Sequence, residues 1–131
     1  MKTACVLIIA IISQAIGNVY LTKAMKAVTT PGAGDDLVSM ALRAAANPTL
    51  WLGTALLIVF FALYSAALSW ADLSFVLPAT AFGYVLNVAA GHYLLNESVS
   101  PARWAGSAII TLGVFLVSRS GVRTIPRAEL L

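Results

Sequence analysis

Charge is what this sequence has least of. Only 10% of its 131 residues are Asp, Glu, Lys or Arg, where a soluble domain carries roughly a quarter. A chain this short cannot hide a 60% hydrophobic composition in a water-soluble core, so the medium it is built for is hydrocarbon. Cysteine is nearly absent: Cys5 stands alone, which excludes an internal disulfide and a Cys-based zinc site. The net charge of +3 comes from basic residues scattered near segment ends, with no basic stripe, which argues against nucleic acid as a partner. No Ser/His/Asp arrangement, phosphate-binding glycine loop or metal-ligand spacing stands out, so the reading includes no enzyme, no cofactor and no metal. An acidic residue in the middle of an apolar stretch is also missing. Asp72 and Glu97 fall in short connections, and a proton-coupled antiporter usually needs a titratable group at depth.

What is there is a set of four apolar stretches, at about 3–22, 50–70, 74–95 and 102–118. A bilayer core about 30 Å thick needs roughly 20 apolar residues in a helix, so these predict four transmembrane helices in one domain over residues 1–131. The start imitates a secretory leader, with Lys2, an apolar run at 6–12 and Ser13-Gln14-Ala15. Three more spans follow, and the first is expected to be retained. Between the first two spans, Pro31, Gly32 and Gly34 break the helix, and Asp35 or Asp36 is positioned to cap a short helix, Leu37–Ala46. That helix carries Leu37, Met40 and Ala44 on one face and is expected to lie at the membrane surface. The fold class is therefore an all-α membrane protein, four transmembrane helices with a short interfacial helix between the first and second. Asn47-Pro48 restarts the chain, Trp51 sits at an interfacial position, and "WADLS" makes a tight hairpin. Ser100 and Pro101 open the fourth span. Residues 119–131 are expected to form a basic, frayed tail. Lys2, Arg119, Arg123 and Arg127 fall on one side of the membrane, and Lys23, Lys26, Arg43 and Arg103 on the other. This balance leaves the positive-inside rule little leverage and allows dual topology.

Inside the spans the polar groups are uncharged. Gln14 and Asn18 are one helical turn apart on the first helix, Tyr64 is on the second, and Tyr84 and Asn87 lie near one another on the third. Amides donate and accept. Facing a cavity, these five could hold hydroxyls or phosphate oxygens without a protonation step. The competing reading is that they only bind helices together, at about 0.6 kcal/mol each. Pro78 and Gly83 interrupt the third helix, and a bend is expected at Pro78, which removes a backbone donor. His92 could titrate but sits near the end of the third span, where a hydrogen-bonded packing role is the plainer reading. Gly106 and Gly113, seven residues apart with Ser107 beside them, make a small-residue face on the fourth helix. Such a face lets another helix approach closely, and it is expected to be the seam of a dimer. Four helices alone enclose little volume, so a pathway between two copies is expected.

The stretch 69–121 resembles the second half of an EamA-type unit of the drug/metabolite transporter superfamily. The marks are Pro78, the "NESVSPARWAG" hinge with Glu97, Pro101 and Gly106, and Gly113-Val114. "NPTLWLGTALLIVFFALYSAAL" resembles the helix before it, and "SQAIGNVYLTKAMK", with Gly17 and Lys23, resembles the first helix. Two groups of four-helix relatives compete. The small multidrug resistance proteins are antiparallel homodimers that export lipophilic cations and carry an essential glutamate on the first helix. Aligning on Gly17 puts Gln14 there, and aligning on Lys23 puts Ala15 there. The aromatic residues that stack the cation are replaced by Leu77 and Thr80. The pattern also resembles the small subunits of the undecaprenyl-phosphate-aminoarabinose flippase, at "WLG" (51–53), Pro78 and "VSPARWAG" (99–106). That resemblance implies a multi-pass protein of the bacterial inner membrane that moves a lipid-linked or amphipathic metabolite. Its partners would be membrane lipid and a second chain, as a homodimer, parallel or antiparallel, or a heterodimer. Export of cations or metabolites, and a non-transporting subunit or scaffold of a heterodimeric complex, are the alternatives.

Overall fold

The computed structural model describes residues 2–29 and 36–119. They form five helices: α1 Lys2–Val28, α2 Leu37–Ala46, α3 Pro48–Leu68, α4 Leu73–Leu94 and α5 Pro101–Arg119. Four of them, α1, α3, α4 and α5, are long and apolar enough to cross a bilayer. The chain is a multi-pass membrane protein built of helices, with the short α2 between the first and second spans.

Local sequence accounts for the boundaries. Asn47 caps α3 by accepting from the Thr49 amide at 3.0 Å, with Pro48 as the first helical residue. The Ser100 carbonyl accepts from the amides of Arg103 (3.0 Å) and Trp104 (3.3 Å), and Pro101 opens α5. Asp36 occupies the N-cap position of α2, but its side chain makes no capping bond. Its carbonyl instead accepts from the Met40 amide and the Ser39 hydroxyl. The helix-breaking Pro31, Gly32, Gly34 and Asp35 lie outside the described residues. So does the expected basic tail, apart from Arg119, the last residue of α5.

The first helix outruns the apolar stretch at about 3–22: α1 continues through Lys23 and Lys26 to Val28, since Ala, Met and Lys all favour helix and let it project past the hydrocarbon. On α2, Leu37 is 83% exposed although its spacing places it on the same face as Met40 and Ala44. Ser39, Met40, Arg43 and Ala44 are half-buried, while Leu37, Val38 and Leu42 point away from the protein. The outward apolar side suits a helix lying on a membrane.

α1 is the central helix. Of its most apolar stretch, 39% is buried, against 11% for α3 and for α4 and 6% for α5. It runs antiparallel to α3: the Trp70 indole donates to Thr3 Oγ1 at 3.2 Å, and the Ser13 hydroxyl donates to the Leu56 carbonyl at 2.8 Å. Close approach depends on two glycines. A Cβ on Gly53 would lie 2.9 Å from the Leu21 amide and 3.0 Å from the Gly17 carbonyl, and one on Gly17 would lie 3.1 Å from the Gly53 carbonyl. α1 runs parallel to α4 on its other flank, and α5 packs on α4. α3 and α4, although joined by a short turn, touch little beyond it. Leu7, Ala67, Ala71 and Val76 form a buried cluster at that end. α1 therefore wedges α3 and α4 apart.

Candidate functional site

The wedge leaves an open cleft of about 510 Å³. Gln14 and Asn18 come from α1, Phe60 and Tyr64 from α3, and Leu77, Thr80, Ala81, Tyr84 and Asn87 from α4. All five polar residues singled out from the sequence thus share one cavity, and among the described residues no charged side chain lines it. The volume is within the roughly 300–1,000 Å³ of small-molecule sites.

Each side chain is held differently. Asn18 Nδ2 donates to Asn87 Oδ1 at 3.3 Å, a long bond across the α1–α4 seam. Gln14 Oε1 is buried without a hydrogen-bond partner. It lies against Gly83, 2.7 Å from where a Cβ on that residue would be. Gly83 therefore serves as a gap that admits the Gln14 amide, a role that its reading as a helix interruption did not anticipate. α4 is continuous through Pro78 and Gly83. Tyr64 packs on Phe60 with ring centroids 5.9 Å apart. Tyr84 is 68% exposed and belongs to the rim.

The α1 stripe goes on past the cleft as Thr22 and Lys26, again at intervals of four residues. A smaller pocket of about 120 Å³ follows, lined by Asn18, Val19, Thr22, Asn87, Ala90, Gly91, Leu95 and Glu97. The Asn18–Asn87 pair borders both it and the cleft. Beside Glu97 the Lys26 ammonium forms an ion pair at 2.7 Å. Asn96, with φ 51°, turns the chain so that the Glu97 amide donates to the Gly91 carbonyl at 2.9 Å. The absence of a side chain at Gly91 leaves room for the carboxylate, whose Oε2 lies 3.1 Å from that Cβ position. Asparagine tolerates this left-handed backbone better than most residues do. Sequence reading missed the ion pair because Lys26 and Glu97 are 71 residues apart.

His92 lies outside the cleft. Its Nδ1 is 3.3 Å from the Glu97 carbonyl, and its ring meets the edges of Tyr93 and Trp104 at 4.9 and 5.9 Å. Gly106 borders another groove, about 400 Å³, between α4 and α5, and nothing lies within 4 Å of a Cβ on Gly106 or Gly113. A further groove, about 610 Å³, lies between α1 and α4, with Tyr20, Lys23 and Tyr93 among otherwise apolar residues.

This geometry is an uncharged, hydrogen-bonding cleft between helices, and two curated proteins are similar to the chain in sequence. A protein of Pseudomonas syringae pv. syringae, named "Probable 4-amino-4-deoxy-L-arabinose-phosphoundecaprenol flippase subunit ArnE", is 35% identical over 75 residues, 57% of this chain and 69% of the relative. This chain belongs to the ArnE family of small flippase subunits. A protein of the same name from Pseudomonas savastanoi pv. phaseolicola is 33% identical over 70 residues, 53% of this chain and 61% of that relative, so the match spans less than two thirds of its length. No family model and no solved structure matches the chain. Proteins named as flippase subunits are transporters rather than enzymes. The resemblance read from "WLG", Pro78 and "VSPARWAG" therefore agrees with the family found by comparison.

Proposed function

We propose that the chain is a subunit of a small bacterial inner-membrane flippase for a lipid-linked sugar, and that the α1–α3–α4 cleft shields the sugar while the lipid chain stays in hydrocarbon. The observation that carries this reading is the meeting of Gln14, Asn18, Tyr64, Tyr84 and Asn87 in one cleft without a charged side chain. Sugar hydroxyls both donate and accept, as amides do. The names of the two relatives supply the substrate class, a polyprenyl-phosphate-linked aminosugar. Cation export has less support, because the cleft offers no carboxylate to a cation. The word "subunit" in both names favours a second chain, either a copy or a different protein. The exposed side of α5, with Gly106 and Gly113 open, is its proposed seat.

The test is transport of a fluorescent polyprenyl-phosphate sugar by the purified chain in proteoliposomes, alone and with its partner. Replacing Gln14 and Asn18 together with Leu should abolish transport and leave the thermal unfolding midpoint near that of the parent. Should folding and transport be lost together, the amides serve helix packing and the cleft reading fails.

A further inference from the structure

Resting on the flippase reading above, we propose that the groove between α1 and α4 binds the isoprenoid chain of a polyprenyl-phosphate lipid, with its phosphate held by Lys23. The groove is distinct from the polar cleft, and its volume of about 610 Å³ is ample for several isoprene units. Apart from Tyr20 and Tyr93 its walls, among them Ile16, Leu86 and Ala89, are apolar, and among the described residues Lys23 is the one charged side chain in its lining. Lys23 is exposed and makes no ion pair among the described residues, whereas Lys26, three residues on, is paired with Glu97. Depth agrees with a headgroup contact. Lys23 is five residues from the end of α1, about 7–8 Å along the axis, where a lysine reaches the membrane interface.

The groove and the cleft flank a common small pocket. The small pocket at the Asn18–Asn87 pair shares Val19 and Ala90 with the groove, and Asn18 and Asn87 with the cleft. A polar cleft, a small pocket and a largely apolar groove with one cation thus follow one another around α1. A ligand with a sugar, an anionic phosphate and a long chain has its parts in the same succession. An ordinary phospholipid would use the groove but gives no reason for its nearness to the polar cleft. A second copy seated there through α5 would cover Lys23 with a helix that has no acidic residue, leaving the charge without a partner.

The experiment is native mass spectrometry of the purified full-length chain with polyprenyl phosphate, with polyprenol of the same chain length, and with phosphatidylglycerol. Polyprenyl phosphate should be retained about tenfold more tightly than polyprenol, the scale of one charge-assisted contact. Lys23→Gln should erase that preference and Lys23→Arg restore it, while Ala89→Phe should weaken both lipids by filling the groove. The proposal is overturned if Lys23→Gln keeps the preference, if Ala89→Phe leaves both lipids bound as before, or if phosphatidylglycerol competes as well as polyprenyl phosphate. Asn18→Leu separates the two readings. It should stop transport while polyprenyl phosphate, which has no sugar, stays bound. Transport that survives Asn18→Leu counts against the cleft alone, and lipid binding indifferent to Lys23 counts against the groove alone.

Discussion

Single residues decide how closely the helices approach. Gly53 faces backbone atoms of α1, which cannot swing away, so Gly53→Ala should cost about 1–3 kcal/mol through overpacking. Gly106→Ala meets nothing within 4 Å and should be neutral, or stabilising by up to about 1 kcal/mol. Reversible unfolding in mixed micelles would measure the pair, and equal effects would refute the backbone contact. The Lys26–Glu97 ion pair should contribute little to stability despite its 2.7 Å length, since both side chains are substantially exposed. In the same assay Glu97→Gln should change stability by no more than about 1 kcal/mol. Sequence spacing put Gln14 and Asn18 on one side of a helix. It did not say that Gly83 would make room for Gln14 or that Asn87 would answer Asn18, because those pairings span 69 residues and no local pattern encodes them.

At the scale of elements, the apolar runs and the capping signals made every helix legible. The bounds of α2 follow from Asp36 before it and Asn47-Pro48 after it, and α3, α4 and α5 begin or end within two residues of their apolar stretches. Hydropathy reports the span and not the helix, so α1 runs on to Val28, past its apolar stretch. Which side of each helix faces protein was harder to read. In a bilayer both protein and lipid neighbours are apolar, so the amphipathic signal that orients helices in water is largely lost. α5 illustrates the consequence. Ile109, Leu112, Phe115 and Leu116 are exposed along it, while Ser107 is buried against the rest of the chain, its hydroxyl bonded to the Arg103 carbonyl at 3.0 Å. If α5 is the seam, cysteine at Gly113 in a Cys5→Ser background should cross-link to a partner chain in native membranes, and cysteine at Ser107 should not. Cross-linking at neither position, or at both equally, would remove α5 from the interface.

For the molecule as a whole, the arrangement follows from one non-neighbour packing choice: the first helix, and not its sequence neighbours, separates α3 from α4. Cleft, small pocket and groove all lie along α1, so, on the proposed reading, substitutions on its different sides should affect sugar handling, lipid retention and stability separately. That division was not legible beforehand. The composition declared a membrane protein and the five polar residues were expected to face one cavity, which they do, but the central helix could not be chosen from four similar spans. Removing α1 should leave α3 and α4 without the surface that holds them in register. Limited proteolysis of the shortened chain in micelles should then cut between residues 68 and 73, where the full chain resists, and equal resistance would contradict the wedge.

The Asn18–Asn87 contact also bears on biogenesis. Its halves leave the ribosome 69 residues apart, a delay of between about 3 and 14 s at roughly 5–20 residues per second. For that interval the amides of the leading helix enter the bilayer without the strand of polypeptide that will answer them. A newly made chain is then a helix seeking hydrogen bonds, open to capture by another subunit or by an insertion factor before its own fourth helix arrives.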